Sequence, residues 1–344
     1  MGETKMPDLE GKSILITGGT GSFGKAFVRR LKEGFNPRRI AIFSRSEFEH
    51  FKFLNSLKDE ERSMFRSFIG DVRDRTRLKT AMNNVDIVIH AAALKQVPLA
   101  EYNPFECIQT NVLGAENVVH AAIEAGVKQV VALSTDKACN PVNLYGASKL
   151  ASDKIFVAAN AYGSGSGTSF SVVRYGNVVG SKGSVVPFFR KLVDDGVEEI
   201  PITDTRMSRF WITLPQAVDF VLTSLTTMRG GEIFVPKIPS MNIVDLATAM
   251  APGIKHKIIG IRPGEKLHES MIDDYSSRHT VDIGDRYVIE PDWTFWPRRR
   301  FSEDGYPICQ EGFEYRSDLN EDWLTSDQLA EMLKVSEDYI EPYK

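Results

Sequence analysis

The residues with the clearest chemical potential lie between Thr135 and Lys149. Tyr145 and Lys149 are four positions apart, so on a helix their side chains share one face. A phenolate can take the proton of a sugar hydroxyl while hydride leaves the same carbon. We expect Lys149 to lower the pKa of Tyr145 and to hold a ribose hydroxyl. The pair therefore predicts chemistry with a nicotinamide cofactor.

Asp136 and Lys137 add a second acid and a second base directly before this pair. Simple dehydrogenation or epimerisation does not need them, whereas removal of water does. Lys137 acts as a base only when its amine is neutral, and we expect burial, Lys149 and an oxidised nicotinamide to lower its pKa. The alternative is an ordinary ion pair at a strand end. The predicted catalytic residues are Thr135, Asp136, Lys137, Tyr145 and Lys149.

The N-terminal part of the chain supplies a dinucleotide site. Residues 13–17 form a short apolar run that predicts a buried parallel strand, and an amphipathic helix follows from Lys25. Between them Gly18, Gly21 and Gly24 allow a tight turn and close approach of the backbone to a pyrophosphate. Their spacing differs from the commoner Gly-x-Gly-x-x-Gly pattern, so the strand and helix around them carry the prediction.

Arg45 decides which nicotinamide cofactor the sequence predicts. It follows the second predicted strand, residues 39–43, where an NAD enzyme usually has Asp or Glu for the ribose 2′-hydroxyl. An arginine there suits the 2′-phosphate of NADP, although a solvated surface arginine is the alternative. The residues predicted to bind NADP are Gly18, Thr20, Gly21, Ser22, Phe23, Gly24, Ser44, Arg45, Asp71, Val72, Ala91, Ala93, Lys95, Tyr145 and Lys149.

Composition places the chain among ordinary globular proteins. Its 344 residues are 42% hydrophobic and 26% charged, with a net charge of -4 that gives no reason to expect nucleic acid or a membrane surface as partner. No apolar run has the length of a membrane span, and residues 1–6 lack the apolar core of a signal peptide, so we expect a cytoplasmic protein. The 3 cysteines and 6 histidines lack metal-binding spacing, and we predict no metal site.

The order of predicted elements indicates an α/β fold. Strand and helix patterns alternate to about residue 180, as in a Rossmann-type doubly wound parallel sheet. We predict an NADP-binding domain at 1–180, to which residues of about 210–235 return, and a smaller mixed substrate-binding lobe with a C-terminal extension at 181–344. Helices are predicted at 78–82, 104–125 and 143–162, and further strands at 86–90, 129–133 and 169–174.

Basic side chains in the predicted lobe suit a nucleotide sugar. Arg209 and Arg262 could bind its diphosphate, because guanidinium groups match phosphate oxygens. Glu265 could orient Arg262 or receive a sugar hydroxyl. Solvated or surface-paired arginines are the alternative. The run from Arg298 to Arg300 is interpreted as a solvated charged loop.

Several motifs together resemble one enzyme family nearly end to end. They include Thr17-Gly-Gly-Thr-Gly-Ser-Phe-Gly24, His90-Ala-Ala-Ala-Leu-Lys-Gln-Val97, Ser134-Thr-Asp-Lys-Ala138, Asn143-Leu-Tyr-Gly-Ala-Ser-Lys149, Arg174-Tyr-Gly-Asn-Val-Val-Gly180 and Gly260-Ile-Arg-Pro-Gly-Glu-Lys-Leu-His-Glu269. The chain resembles the extended short-chain dehydrogenase/reductases, and among them the soluble, inverting UDP-N-acetylglucosamine 4,6-dehydratases that begin pseudaminic acid synthesis for flagellin glycosylation. The substrate contacts that this resemblance implies are Lys95, Tyr102, Asn177, Arg209, Arg262 and Glu265.

The resemblance implies a lyase that acts on UDP-N-acetylglucosamine with NADP and assembles as a homo-oligomer, either dimer or hexamer. Thr-Asp-Lys at 135–137 separates the chain from the similar dTDP-glucose dehydratases, which carry Thr-Asp-Glu and retain C5 configuration. One departure is visible at 46–49, where Ser-Glu-Phe-Glu lacks a possible phosphate-binding lysine. A nucleotide-sugar 4-epimerase or reductase, a retaining dehydratase and a non-catalytic NADP-binding regulator remain as alternatives.

Overall fold

A parallel β-sheet forms the centre of the molecule. The computed structural model describes residues 5–340 apart from 182 and 294. In this part of the chain a nine-stranded sheet has the order β14-β15-β10-β6-β5-β4-β1-β2-β3. Its strands are β1 Ser13–Thr17, β2 Arg39–Ser44, β3 Phe65–Ile69, β4 Ile87–His90, β5 Gln129–Thr135, β6 Ser169–Tyr175, β10 Ile233–Pro236, β14 Thr280–Asp282 and β15 Arg286–Ile289.

The strand order explains where a ligand site must lie. The strands β3-β2-β1-β4-β5-β6 follow the doubly wound order, in which the direction of winding reverses between β1 and β4. All five residues of β1 are buried, as expected for a parallel strand covered on both faces. The predicted α/β fold with a Rossmann-type sheet is confirmed, and the carboxyl ends of β1 and β4 mark the switch point.

Helices cover both faces of this sheet and connect its strands. They are α1 Ser22–Gly34, α2 Glu47–Asn55, α3 Arg75–Ala81, α4 Val97–Tyr102, α5 Pro104–Ile108, α6 Gly114–Ala125, α7 Leu144–Gly163 and α9 Leu214–Thr227. The helix predicted at 104–125 is present, but a π-helical turn, Gln109–Leu113, joins α5 to α6. Nowhere in the described ranges is a helix both long and apolar enough to span a bilayer.

A smaller lobe packs beside the sheet around its own apolar cluster. That cluster includes Phe189, Trp211, Leu246 and Leu329, contributed by several separate segments. The remaining elements are β7 Asn177–Val178, α8 Val185–Asp194, β8 Glu199–Ile202, β9 Ser208–Ile212, β11 Ser240–Asn242, α10 Ile243–Met250, β12 Lys255–Ile258, β13 Ser270–Ile272, α11 Asp274–Ser277, β16 Tyr315–Arg316 and α12 Ser326–Ile340.

Two features of the C-terminal half were not foreseen. Strands β14 and β15 join the main sheet antiparallel to their neighbours, beyond the return expected at about 210–235.

Arg298 is not solvated, which corrects the interpretation of the loop that contains it. Its side chain is 1% exposed and pairs with Glu232 and Glu290 at 3.1 and 3.3 Å. Arg299, by contrast, is exposed as expected.

Candidate active site

A cavity of about 1000 Å³ opens at the carboxyl ends of the parallel strands. The turn after β1, the ends of β2, β4 and β5, the start of α7 and the segment after β6 all contribute to its wall. The predicted site residues that line it are Gly18, Thr20, Gly21, Ser22, Phe23, Ser44, Arg45, Asp71, Val72, Ala91, Ala93, Lys95, Thr135, Lys137, Tyr145, Lys149 and Asn177. The cavity therefore brings most of the predicted cofactor residues and catalytic residues into one space.

The glycine turn has the shape that a dinucleotide phosphate requires. Gly18 has a φ of +67°, and a Cβ there would lie 2.9 Å from the backbone nitrogen of Ala92. Gly21 caps α1 without a side-chain hydrogen bond, which leaves the first backbone N–H groups of α1 open towards the cavity. Gly24 does not line the cavity; its missing Cβ would lie 2.4 Å from Gly19 O, so it lets α1 pack on the turn.

Arg45 lines the cavity just beyond the end of β2. The hydroxyls of Thr20 and Ser44 are hydrogen-bonded at 2.8 Å, which joins the glycine turn to this strand end. Burial opposes ionisation of Asp71, but its contacts with Arg73 hold the pKa of the carboxyl below its ordinary value. Glu49, at the position where a lysine was noted as missing, forms a 3.1 Å ion pair with Lys25 of α1.

The catalytic candidates meet where β5 ends and α7 begins. After Thr135, a 3-10 turn, Asp136–Ala138, carries Lys137, and α7 carries Tyr145 and Lys149. Gly146 permits close packing of these two elements, because a Cβ at that position would lie 2.2 Å from Lys137 O. The helix therefore approaches the turn closely enough to place Tyr145 beside Thr135, whose hydroxyl donates to Asp136 Oδ1 at 2.8 Å.

Lys137 is an ammonium held between two carboxylates. Its Nζ lies 3.0 Å from Asp136 Oδ1 and 3.2 Å from Glu269 Oε1, and both carboxylates are almost fully buried. Burial lowers the pKa of Lys137, but the two negative charges outweigh it and raise the pKa above its ordinary value. The expectation of a lowered pKa was therefore wrong for the protein alone, because the charges of Asp136 and Glu269 together outweigh burial.

Burial also decides the ionisation of the tyrosine–lysine pair. It raises the pKa of Tyr145 to about 12, against the opposing effects of Lys137 and of the nearby Thr135 hydroxyl. The positive charge of Lys137 therefore favours the phenolate in the protein alone, and the expected effect of Lys149 stays a prediction. Burial lowers the pKa of Lys149, and Asp153, one helical turn further on α7, opposes this.

Two site residues were missed from the sequence. Asp153 could have been found, because it is four positions after Lys149 on the same helix. It is fixed by Ser134 Oγ at 2.8 Å and by Arg174 at 3.2 Å. Glu269 follows the lobe strand β12 in a long loop, and no local spacing connects it to Lys137. Asp136 itself is 1% exposed and lies behind the cavity wall.

The remaining substrate candidates lie around or behind the cavity. Tyr102 is 86% exposed at the end of α4. Arg209 is buried and donates to the carbonyl oxygens of Ser208, Lys266 and Leu267 at 2.6–2.9 Å, so it fixes the loop before β13. Neither lines the cavity, and their predicted contacts with substrate stay predictions.

Arg262 and Glu265 belong to a loop that is tied to the start of α7. Asn143 lies two residues before Tyr145 in the sequence, and its side chain donates to Gly264 O at 2.8 Å. Arg262 is 55% exposed and 3.9 Å from Glu265, so its guanidinium remains available to a ligand. Neither residue lines the cavity as it stands. Among the described residues no group of three or more His, Cys, Asp or Glu side chains is arranged to hold a metal.

Comparison with known proteins agrees with this geometry. The model of the family described as polysaccharide biosynthesis protein matches residues 14–291. UDP-N-acetylglucosamine 4,6-dehydratase (inverting) of Campylobacter jejuni is 54% identical over 334 residues, 95% of this chain and 99% of that protein. UDP-glucose 4-epimerase of Rickettsia canadensis is 44% identical over 288 residues, 82% and 83% of the two chains. The X-ray structure of Pen from Bacillus thuringiensis has a TM-score of 0.85 at 35% identity, covering 96% of this chain and 99% of that one.

The fold and the cavity define an enzyme of the short-chain dehydrogenase/reductase type. The chain belongs to the polysaccharide biosynthesis protein family, whose model covers most of it. The predicted resemblance to the inverting 4,6-dehydratases is confirmed by identity over nearly the whole length, and so is the prediction of a dehydratase-type enzyme, a hydro-lyase.

Proposed function

We propose that this enzyme is an NADP-dependent UDP-N-acetylglucosamine 4,6-dehydratase that inverts C5. Its product would be UDP-2-acetamido-2,6-dideoxy-β-L-arabino-hex-4-ulose, a first intermediate for pseudaminic acid-type sugars. The observation that carries the proposal is the contact of Lys137, which lines the same cavity as Tyr145 and Lys149, with Asp136 directly behind it. The name of the Campylobacter relative supports the substrate.

The site fits a dinucleotide, and each part of it has a task. The glycine turn and the open N-terminus of α1 would receive the pyrophosphate, and Arg45 the 2′-phosphate. Bound NADP would accept hydride from C4 of the sugar and return it to C6. Tyr145, with Thr135 beside it and Lys149 one turn further along α7, would take the proton of the 4-hydroxyl. The resulting ketone makes the proton on C5 acidic.

The Asp136–Lys137 contact explains how an ammonium becomes a base. A proton that moves over the 3.0 Å from Lys137 Nζ to Asp136 Oδ1 leaves a neutral amine and a carboxylic acid. The amine then takes the C5 proton, and the acid protonates the 6-hydroxyl as it leaves as water. Lys137 ends as an ammonium and Asp136 as a carboxylate, so the pair regains its resting charges in one elimination.

Inversion follows if C5 regains a proton from the face opposite Lys137. A direct test incubates the purified enzyme with UDP-N-acetylglucosamine in deuterium oxide and follows the sugar by NMR. We expect a 4-keto-6-deoxy sugar of L-arabino configuration with solvent deuterium at C5 and the original C4 hydrogen at C6. A fresh product with retained C5 configuration would contradict inversion but leave the dehydratase.

A UDP-sugar 4-epimerase is the second candidate, because the Rickettsia relative at 44% identity carries that name. Epimerisation would use Tyr145 and Lys149 alone and leave Asp136 and Lys137 without a chemical task. The same NMR experiment separates the two functions: an epimerase gives a C4 epimer that keeps its 6-hydroxyl. Tight NADP binding without any product would instead indicate a regulator.

A further inference from the structure

Glu269 is the second carboxylate at Lys137, and it comes from the lobe. It is 2% exposed, and its Oε1 lies 3.2 Å from Lys137 Nζ. Its backbone is fixed on both sides by Ser317: the Ser317 hydroxyl accepts from Glu269 N–H at 3.0 Å, and Ser317 N–H donates to Glu269 O at 2.8 Å. The backbone that carries the carboxylate is therefore fixed before any ligand binds.

The other two cations near Glu269 lie further from its carboxylate than Lys137 does. Arg209 Nε lies 3.9 Å from Oε1, while Arg209 directs its two terminal nitrogens to backbone carbonyls. Lys266 Nζ is 3.7 Å from Oε2 and makes its short contact, 2.6 Å, with Cys139 O. Glu269 Oε2 is buried without a hydrogen-bond partner in the described structure. Among these cations, Lys137 makes the shortest contact with Glu269.

We propose that Glu269 is a positioning residue for the elimination step, which accepts an N–H of the neutral amine of Lys137 and so holds Nζ against C5 of the sugar. This inference rests on the proposed dehydratase function. When Asp136 takes its proton, it loses its negative charge and its attraction for Lys137. Glu269 then remains as the only carboxylate within 4 Å of Nζ among the described residues.

The proton balance is unchanged by Glu269, which keeps its charge throughout. The C5–H bond breaks, an N–H bond forms on Lys137, and the electron pair moves towards C6 as the C6–O bond breaks. The proton on Asp136 leaves with the 6-hydroxyl as water. Positive charge on Nζ grows during this step, directly opposite Glu269 Oε1. The same charge disfavours the neutral amine that must form first, so the contribution of Glu269 is to keep Nζ in line with the C5–H bond during proton transfer, a geometry that oxidation at C4 does not use.

Glu269→Gln tests the proposal, because it keeps the shape of the side chain and removes its charge. Stopped-flow absorbance at 340 nm reports the first hydride transfer, and NMR reports the 4-keto-6-deoxy product. We expect oxidation at C4 within about threefold of wild type, elimination slower by about 10²-fold because Nζ is less firmly placed, and reduced cofactor that accumulates. With substrate deuterated at C5, the variant should show a larger primary isotope effect than wild type.

Glu314→Gln is the matched control, since Glu314 is also a lobe carboxylate but pairs with Arg316. It should behave as wild type. Elimination by Glu269→Gln at or above the wild-type rate would overturn the proposal, as would equal slowing of both steps. If Glu269→Gln does not fold, Glu269→Asp replaces it: the charge remains but lies further from Nζ, and unchanged elimination would overturn the proposal.

Wild-type enzyme in the same experiment separates this inference from the proposed function. If wild type forms no 4-keto-6-deoxy sugar from UDP-N-acetylglucosamine, the dehydratase proposal fails. If wild type forms it and Glu269→Gln is unaffected, only the role of Glu269 fails.

Discussion

Tyr145 is the residue whose oxygen the proposed reaction needs first. Tyr145→Phe keeps the ring that packs at the start of α7 and removes the group that takes the 4-hydroxyl proton. We expect the variant to bind NADP as wild type does. Its turnover rate should be lower by about 10²-fold or more, as is usual for loss of a general base. Product formation by NMR and cofactor binding by fluorescence check both parts.

Tyr275→Phe is the control for that variant, since Tyr275 is 60% exposed on α11. It should keep full activity. Turnover of Tyr145→Phe near the wild-type rate would show that another group takes the proton.

Arg45 should discriminate between the two nicotinamide cofactors. Only NADP has the 2′-phosphate, so Arg45→Ala should weaken the binding of NADP by about 1.5–3 kcal/mol, the usual value of a hydrogen bond to a charged group. The binding of NAD should be nearly unchanged. Titration calorimetry with both cofactors measures this difference. Arg62→Ala, on an exposed 3-10 helix, is the control. Equal weakening of both cofactors would refute the assignment of NADP.

Local spacing determined which site residues could be predicted from the sequence. Tyr145 and Lys149 share a helical face, and the glycines of the turn follow a strand, so both features depend on neighbours in the chain. The charge state of Lys137 depends on its neighbour Asp136 and also on Glu269, which folding brings from the lobe. The sequence therefore predicted the functional groups at the strand ends but not the pKa of Lys137.

At the scale of elements, the active site depends on how closely α7 packs against the turn after β5. Gly146→Ala would place a methyl group 2.2 Å from Lys137 O, so the helix or the turn must move. We expect lower thermal stability and at least tenfold lower turnover, because a shift of about 1 Å in a catalytic group is costly. Differential scanning calorimetry and NMR product assays measure the two effects.

Ala147→Ser is the matched control, because Ala147 is the next residue of α7 and is exposed. It should change neither property. If Gly146→Ala is as stable and active as wild type, close contact between these elements is not required.

The elements themselves were predictable where hydrophobic runs are continuous. The strands expected at 13–17, 39–43, 129–133 and 169–174 are confirmed within two residues at their ends. The π-helical turn after α5 carries no sequence signal, because it differs from an α-helix only in its hydrogen bonding. Strands β14 and β15 are short, and only the pairing of β15 with β10 and of β14 with β15 shows that they belong to the sheet.

At the scale of the whole molecule, the chain crosses between sheet and lobe more than once. Residues after 180 supply β10, β14 and β15 to the sheet as well as the apolar cluster of the lobe. The division near residue 180 stays a prediction, and β14 and β15 lie in the sheet although they follow that boundary. The proposed homo-oligomer remains a prediction, which light scattering of the purified enzyme would test.

Arg298 joins the loop after β15 to the ends of two neighbouring strands. Glu232 precedes β10, Glu290 follows β15, and both carboxylates contact the buried guanidinium. Arg298→Ala would leave two buried carboxylates near each other without their shared cation. Removal of one partner from a buried ion pair typically costs about 3–5 kcal/mol, and we expect the free energy of unfolding in urea to fall by that amount.

Arg299→Ala is the control and should lower the free energy of unfolding by at most about 1 kcal/mol, because Arg299 is 73% exposed and its pair with Asp304 is solvated. Equal losses in the two variants would show that water reaches the carboxylates and that Arg298 does not anchor the C-terminal loop to the sheet.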